Sequence, residues 1–429
     1  MKLSLLLSAQ EEVGYYNPAY KVNYIRIWKA AAPVSDAPTL KAASLRDVKQ
    51  ITQYFSGMGW PVQTVAKQQS LPTGGTAADL VSSIKYDAFG RARLNFLPFA
   101  ANSAGGNNSL ADGGFKRNPT PQITAFGQSQ YPGETWFYNE TMYESSVLSR
   151  VNYSFAAGNS WVGSRRGTGS HARINMPADD VKIWKVIEQA DGTGAYSVSG
   201  IYASGQLHKN LTTDEHGKQV IEFKDKEGQV VLKKIQLTAA ADQGGGSGHP
   251  GWLCTYYIYD GLNRLRGVIQ PKGVEVLYTN LNWVPDATLL NEQCFRYEYD
   301  QQSHMIIRKV PGAVPVFMVY DKRDRLVMTQ DGNMRTAGAE KWLVTLYDEL
   351  NRPVQTGLWS NNQPLQYHRT TVENNAGYVY PFNETTVPAS GWEMLSQTHY
   401  DNYNSLPTGL TAEIYNSGYS TYLDAPASD

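Results

Sequence analysis

Aromatic and polar residues alternate along many short stretches of the chain. Residues 295–299 have the sequence Phe-Arg-Tyr-Glu-Tyr, and residues 222–224 have Glu-Phe-Lys ahead of a charged segment. A period of two places alternate side chains on opposite faces of a strand, so these stretches predict β-strands. Helical periodicity is scarce, and the pattern therefore predicts an all-β fold.

A six-residue block separates many of these strands. Four copies are close: Tyr86-Asp87-Ala88-Phe89-Gly90-Arg91, Tyr259-Asp260-Gly261-Leu262-Asn263-Arg264, Tyr320-Asp321-Lys322-Arg323-Asp324-Arg325 and Tyr347-Asp348-Glu349-Leu350-Asn351-Arg352. Looser copies are Tyr299-Asp300, Tyr400-Asp401, Asp214 with Gly217, Asp225 with Gly228, and Tyr54 to Pro61. Recurrence of one block on this scale predicts an array of similar units.

Each block has the composition of a tight turn. An Asp at the first corner of a type I turn accepts a bond from the backbone two residues on, and Gly or Asn at the fourth corner tolerates a positive φ. Another β-prone run follows each block, such as residues 326–329. Each unit is therefore predicted to be a hairpin, and the array a curved antiparallel sheet. Cross-strand aromatic pairs would each add roughly 0.2 to 1 kcal/mol.

Segments rich in Gly, Asn and Ser interrupt the array, and we take residues 242–251 as the main boundary. The predicted divisions are an amino-terminal remnant or weak signal-like segment at 1–21, an amino-terminal domain at 22–157, an intermediate β region with degenerate repeats at 158–245, and the main repeat array at 246–429.

Charge and hydropathy argue against nucleic-acid binding and against a membrane-spanning helix. Lys and Arg (38) balance Asp and Glu (39), so the chain lacks the broad positive surface that nucleic acids require. It also has no apolar run of the roughly 18 residues that a transmembrane helix needs. We therefore expect neither nucleic-acid binding nor a transmembrane helix.

The two cysteines, Cys254 and Cys294, are too few for a disulfide framework or a zinc cluster. Each lies five residues before the Tyr of its repeat, so both thiols should point away from the face that carries Tyr259 and Tyr299. If the return strand after Arg264 lies between their strands, the separation is about 9 to 10 Å. A disulfide rarely spans more than about 7 Å between Cα atoms. We therefore expect both cysteines to be free thiols and not bridged to each other.

No residues have the spacing of a catalytic, metal or cofactor site. The seven histidines are scattered, and His216 lies within a predicted turn. The Gly-rich segments lack a P-loop lysine, so no cofactor is expected. Two alternatives stay open: a surface in which exposed Tyr and Trp bind carbohydrate or peptide, and a glycoside hydrolase whose two carboxylates come from distant repeats.

The Tyr-Asp blocks resemble the repeats of bacterial Rhs and YD-repeat proteins. The resemblance extends to residues 23–26, 54–65, 86–91 and 97–99, which are similar to a domain of unknown function that precedes the repeats in many such proteins. It implies a β-spiral or cocoon-like shell that encloses a carboxy-terminal toxin, with the rest of the shell or the toxin cargo as partners and a secreted or cell-surface location. For this chain, the resemblance implies a non-catalytic segment of the shell wall.

One copy departs from the repeat pattern. The block that begins at Tyr54 has Phe55-Ser56 and Gly59-Trp60 where the pattern has Asp and Gly-Arg. Because its Asp is missing, we expect this turn to be looser than the others.

Overall fold

The structure is a computed structural model that describes residues 22–34, 36–70, 76–106, 109–189 and 193–400. The predicted segment 1–21 and the predicted turn residue Asp401 lie outside these residues.

The described residues form strands and five α-helices. The strands are β1 (Asn23–Ala30), β2 (Val48–Phe55), β3 (Pro61–Ser70), β4 (Ala78–Tyr86), β5 (Ala92–Phe96), β6 (Phe99–Ala100), β7 (Tyr138–Tyr143), β8 (Val151–Phe155), β9 (Thr168–Ile174), β10 (Lys182–Glu188), β11 (Gly194–Ile201), β12 (His208–Thr213), β13 (Gln219–Lys224), β14 (Val230–Gln236), β15 (Trp252–Tyr259), β16 (Leu265–Ile269), β17 (Cys294–Tyr299), β18 (Met305–Lys309), β19 (Val316–Tyr320), β20 (Leu326–Gln330), β21 (Lys341–Tyr347), β22 (Pro353–Ser360) and β23 (Trp392–Gln397). The helices are α1 (Ala37–Ala42), α2 (Pro119–Gln130), α3 (Pro271–Thr279), α4 (Ala287–Glu292) and α5 (Leu365–Asn374).

The chain divides into two compact units, and the first comprises residues 1–180 and 202–253. In it β1 to β4 pair in chain order. β4 then pairs with both β5 and β6, and the ladder continues from β5 through β7, β8, β9, β12, β13 and β14. Every one of these pairs is antiparallel.

The second unit comprises residues 181–201 and 254–429. From β15 to β23 each strand that belongs to the ladder pairs with the next, always antiparallel. β10 and β11 form a separate hairpin. The predicted all-β class, an antiparallel sheet made of hairpins, is confirmed in both units.

Alternating burial along the strands builds a separate core in each unit. In β15, Cys254, Tyr256 and Ile258 are buried and the residues between them are partly exposed. The core of the first unit contains Val65, Val81, Leu94 and Phe99, and Ile123 of α2 packs into it. The core of the second unit contains Val319, Met328, Trp342 and Val344, and Val372 of α5 packs into it. Helices α2 and α5 thus cover sheet faces that would otherwise be apolar and exposed.

Helices α3 and α4 lie in the segment between β16 and β17. This excursion does not change the strand order, because Ile269 of β16 still pairs with Cys294 of β17. β16 therefore lies between the strands that carry Cys254 and Cys294, and that predicted strand order is confirmed. Both cysteine side chains are buried.

Candidate functional site

The Tyr-Asp blocks fold as turns in which one carboxylate holds the backbone. At Asp348 the Oδ1 atom accepts hydrogen bonds from the backbone N–H of Leu350 (2.9 Å) and of Arg352 (2.8 Å). The backbone N–H of Asn351 donates to the Asp348 carbonyl (3.1 Å). The Nε of Arg352 lies 2.7 Å from Oδ2. The same carboxylate bonds recur at Asp87, Asp260 and Asp321.

The fourth corner of each turn has a left-handed backbone, which explains the residue types found there. The φ angles are +78° at Gly90, +62° at Asn263, +60° at Asp324 and +64° at Asn351. Gly, Asn and Asp tolerate this region better than branched side chains do. At Gly90 a second constraint applies, since a Cβ there would overlap the Trp60 ring.

The hydrogen bonds of the turns also stabilise the ionised carboxylates. The backbone hydrogen bond from Arg352 is the largest influence on Asp348 and lowers its pKa. Burial is the largest influence on Asp260 and raises its pKa, but the hydrogen bonds from Arg264 and Leu262 and the charge of Arg264 together outweigh it, so the net pKa is lowered. A carboxylate with a lowered pKa is a poor proton donor at neutral pH. These aspartates are placed to hold turns.

A second set of contacts joins several hairpins to a neighbouring one. The Arg264 guanidinium lies 5.1 Å from the centre of the Tyr299 ring, and the Tyr299 hydroxyl donates to the carbonyl of Leu265 (3.2 Å). We call this combination the Arg–Tyr pair. It recurs as Arg325 with Tyr347, Arg91 with Tyr143, and Arg352 with Tyr400, in each case with the hydroxyl bonded to the carbonyl of the residue after the arginine.

One member of this set was missed by the sequence analysis. Tyr143 precedes Glu144, whose backbone N–H donates to the carbonyl of Arg150 (2.9 Å), and whose Oε1 accepts from the Arg150 Nε (3.0 Å). The turn is longer than the others and has Glu in place of Asp, so it does not match the six-residue block. A search that allowed Tyr, an acidic residue and a later Arg would have found it.

The copy at Tyr54 keeps the architecture with different chemistry. Ser56 occupies the Asp position, and its hydroxyl accepts from the backbone N–H of Trp60 (3.2 Å). Trp60 occupies the Arg position, with its ring 5.3 Å from that of Tyr86. The Tyr86 hydroxyl donates to the Pro61 carbonyl (2.8 Å). A serine cap and an aromatic contact thus replace the aspartate cap and the cation, while the predicted looseness of this turn stays a prediction.

The copy at Asp300 has a histidine in the Arg position. The backbone N–H of His304 donates to Asp300 Oδ1 (2.8 Å), and its Nδ1 lies 2.9 Å from Oδ2. Its ring stacks on that of Tyr320 at 4.4 Å, with 14° between the planes. His304 therefore makes both contacts that arginine makes elsewhere. In the turns at Asp214 and Asp225, which lack the Tyr, the carboxylates still accept from the backbone of Lys218 and Gln229 (2.8 Å each), with Gly217 and Gly228 at positive φ.

Networks of buried ion pairs fix segments of the chain that lie outside the Tyr-Asp blocks. In the first unit the Lys209 ammonium lies between Asp179 (2.7 Å) and Asp242 (2.5 Å), all buried. The Lys234 ammonium donates to the carbonyls of Asp179 (2.7 Å) and Ser247 (2.5 Å). The Gly-rich segment 242–251, which the sequence predicts as the main boundary of the array, is thereby anchored to the strands of this unit.

The second unit has its own buried charge. Arg266 binds the carboxylates of Glu298 and Glu188, and the backbone N–H of Gly194 donates to Glu298 (2.9 Å). The Tyr196 hydroxyl donates to the Arg266 carbonyl (2.8 Å). Burial raises the pKa of Glu298 despite the neighbouring guanidinium. These contacts dock the β10–β11 hairpin on β16 and β17.

The described part of the chain shows neither a metal cluster nor a helix that could span a membrane. Among those residues no group of three or more His, Cys, Asp or Glu is arranged to hold a metal ion. None of the helices within the described ranges is long and apolar enough to cross a membrane.

Comparison with known proteins gives one family match. The model of a domain of unknown function, DUF6443, matches residues 26–174. No curated protein matches the chain. Among solved structures the chain is similar to TcdB2-TccC3, at 12% identity and a TM-score of 0.37 over 74% of this chain. It is also similar to the Photorhabdus luminescens Tc holotoxin pore, at 12% identity and a TM-score of 0.35 over 74% of this chain. In both cases it spans only 13% of the other chain's length.

Proposed function

We propose that this chain is a structural segment in the wall of an Rhs/YD-repeat shell. The Arg–Tyr pair carries the proposal, because one hairpin is joined to another by the same two contacts at several places along the chain. A contact that depends only on a repeated block allows a sheet to be lengthened by adding blocks. The DUF6443 match supports the proposal, because a domain of unknown function before the repeats is part of the resemblance.

We also propose that the segment has no catalytic role. The turn carboxylates are occupied by backbone N–H groups and arginines, as at Asp348 and Asp260. A glycosidase would need two carboxyl groups with separate acid and base roles, whereas the buried Glu298 and the exposed Glu188 share one guanidinium. That arrangement stabilises charge and leaves no separate acid and base.

The shell would enclose or present a carboxy-terminal toxin or effector, and it would work outside the cell or on its surface. The resemblance of the Tyr-Asp blocks supports both statements. The partners would be the remainder of the shell and the cargo.

The test is to tag the gene at its native locus, purify the product from its host and image the particle by electron cryomicroscopy. We expect a hollow β-walled particle in which this chain forms part of the wall, with a polypeptide inside that resists protease until the particle is unfolded. A product that purifies as this chain alone, without a larger β-wall and without a protected polypeptide, would contradict the proposal.

A further inference from the structure

A cavity of about 320 Å³ lies in the first unit, beside the π-helical turn Asn159–Gly163. This volume is within the range of small-molecule sites. Four aromatic side chains line it: the exposed Tyr131 (54% exposed), the half-buried Trp136 and Trp161, and the buried Phe137. None of these residues belongs to a Tyr-Asp turn or to an Arg–Tyr pair, so the proposed wall role does not account for them.

The side chain of Asn159 holds the two sides of the cavity together. Its Oδ1 accepts from the backbone N–H (3.0 Å) and the hydroxyl (2.7 Å) of Thr135, and its Nδ2 donates to the carbonyl of Gly133 (2.7 Å). The backbone N–H of Gly158 donates to the Trp136 carbonyl (2.8 Å), and Gly158 has a φ of +115°. The ring-bearing segments are therefore fixed before any ligand arrives, which lowers the entropic cost of binding.

The cavity carries one negative charge. Glu134 contributes the carboxylate, and its lining includes no Lys, Arg or His. One oxygen of Glu134 accepts from the backbone N–H of Asn159 (2.5 Å), and within the described ranges no other group is bonded to the carboxylate. The faces of aromatic rings are also negative, and they attract cations within about 6 Å of the ring centre. The Arg166 guanidinium lies 4.8 Å from the Trp161 centroid, so a bound cation would share this ring with a cation of the protein.

We propose that this cavity binds an organic cation, a methylated or quaternary ammonium group. Tyr131, Trp136 and Trp161 would surround its methyl groups, and the Glu134 carboxylate would balance its charge. A neutral sugar would stack on the same rings and could bond to the hydroxyls of Tyr131 and Ser160, but it would gain nothing from the charge of Glu134, the one charged side chain of the lining. The cation therefore matches the lining better than a sugar does.

The test is a titration of the full chain, followed by tryptophan fluorescence and by calorimetry, with choline and with 3,3-dimethylbutan-1-ol, a neutral molecule of the same shape. We expect saturable choline binding, at least about tenfold tighter than that of the neutral analogue. N-acetyl-trimethyllysine amide and phosphatidylcholine vesicles, used as further probes, separate a peptide source from a lipid source. Equal affinity for the neutral analogue, preference for methyl glucoside, or no saturation with any cationic probe would overturn the proposal.

Substitutions locate the site. Glu134→Gln keeps an oxygen that can accept from Asn159 but removes the charge, and we expect choline affinity to fall about tenfold. Glu227→Gln makes the same charge change in an exposed turn of this unit and should leave binding unchanged. A folded Glu134→Gln protein with unchanged affinity would refute the proposal. If that variant does not fold, Tyr131→Ala provides the test. The Tyr131 ring is largely exposed, so this variant should still fold while its affinity for choline falls several-fold. Unchanged affinity of the folded Tyr131→Ala protein would also refute the site.

Discussion

The turn aspartates act through their acceptor atoms. Asp321 is buried, and its Oδ1 accepts from the backbone N–H groups of Arg323 (2.9 Å) and Arg325 (3.0 Å). Its Oδ2 also accepts from the Arg325 side chain (2.8 Å). Removing the carboxylate leaves these donors with no partner in a place that water reaches poorly.

We therefore expect Asp321→Ala to lower the free energy of unfolding by about 1 to 3 kcal/mol, measured by chemical denaturation. Asp321→Asn should lose less, because the amide oxygen can still accept from the backbone. Glu349→Ala, at an exposed turn position, is the control and should change stability little. Equal stability of Asp321→Ala and the parent protein would contradict the structural role of the repeat carboxylate.

His368 is a second residue whose environment has a measurable consequence. It is buried against the Trp342 ring (4.8 Å), and its Nδ1 lies 2.6 Å from the Tyr380 hydroxyl. Burial lowers its pKa to about 4. The neutral imidazole is thus the form that the folded state accepts.

This lowered pKa makes the stability of the protein depend on pH. The folded pKa lies below the unfolded value of about 6.5, so the stabilisation is complete above pH 6.5 and is lost as the pH falls toward 4. The loss should reach about 3 kcal/mol near pH 4. We expect His368→Phe to flatten the stability profile between pH 4 and 6.5, whereas replacement of the exposed His399 by Gln should not. An unchanged slope in His368→Phe would show that another group is responsible.

At the scale of the elements, hairpins are joined by ladder hydrogen bonds and by the Arg–Tyr pair. Only two register pairs join β20 to β21, Met328 with Val344 and Thr329 with Leu343. The Tyr347 hydroxyl adds a bond to the carbonyl of Leu326 (3.0 Å), next to the turn where the strands are not paired. The pair therefore contributes most where the ladder is short.

Tyr347→Phe tests this contribution. The substitution keeps the ring under Arg325 and removes only the hydroxyl, so we expect a loss of about 0.5 to 1.5 kcal/mol in unfolding free energy. Faster amide exchange at β20 and β21 should accompany it. Tyr378→Phe, at an exposed tyrosine, serves as the control. If both variants lose the same stability, the hydroxyl bond is not what joins the hairpins.

The β10–β11 hairpin depends on buried charge. Arg266→Met would leave Glu298 buried without its guanidinium, and breaking such a pair costs about 3 to 5 kcal/mol. We expect this loss in denaturation experiments, with early amide exchange in β10 and β11. In the double variant Arg266→Met, Glu298→Leu the uncompensated charge is gone, so much of the stability should return. A double variant as unstable as the single one would show that charge is not the cause.

At the scale of the whole molecule, the cysteines report on the strand order. Cys254 and Cys294 are buried on strands with β16 between them, and burial raises the pKa of the Cys294 thiol to about 12. We expect a chromogenic disulfide reagent to detect almost no thiol in the native protein and two thiols after denaturation without reduction. A count of zero after denaturation, caused by a bridge within the chain, would contradict the strand order described for this unit.

The local sequence was enough to predict the strands and turns of the repeat. Alternating aromatic and polar residues predicted the strands around Phe295 and Tyr347, and the Asp-to-Asn spacing predicted the turns, because hairpin geometry depends on the φ and ψ angles of a few adjacent residues. The all-β class followed from the number of such units. The longer turn from Glu144 to Arg150 was not predicted, because its acidic residue and its arginine lie farther apart in the sequence than in the six-residue block, although they form the same kind of bond.

Other features depended on residues far apart in the chain. Lys209 meets Asp179 and Asp242, and Arg266 meets Glu188 and Glu298, across separations that no local pattern encodes. The cavity lined by Trp136 and Trp161 arises in the same way, from two segments that Asn159 holds together. The sequence by itself determined the repeating unit, since strands and turns follow from neighbouring residues. Only the tertiary structure decided which charges are buried and which rings share a cavity, because burial depends on how distant segments pack.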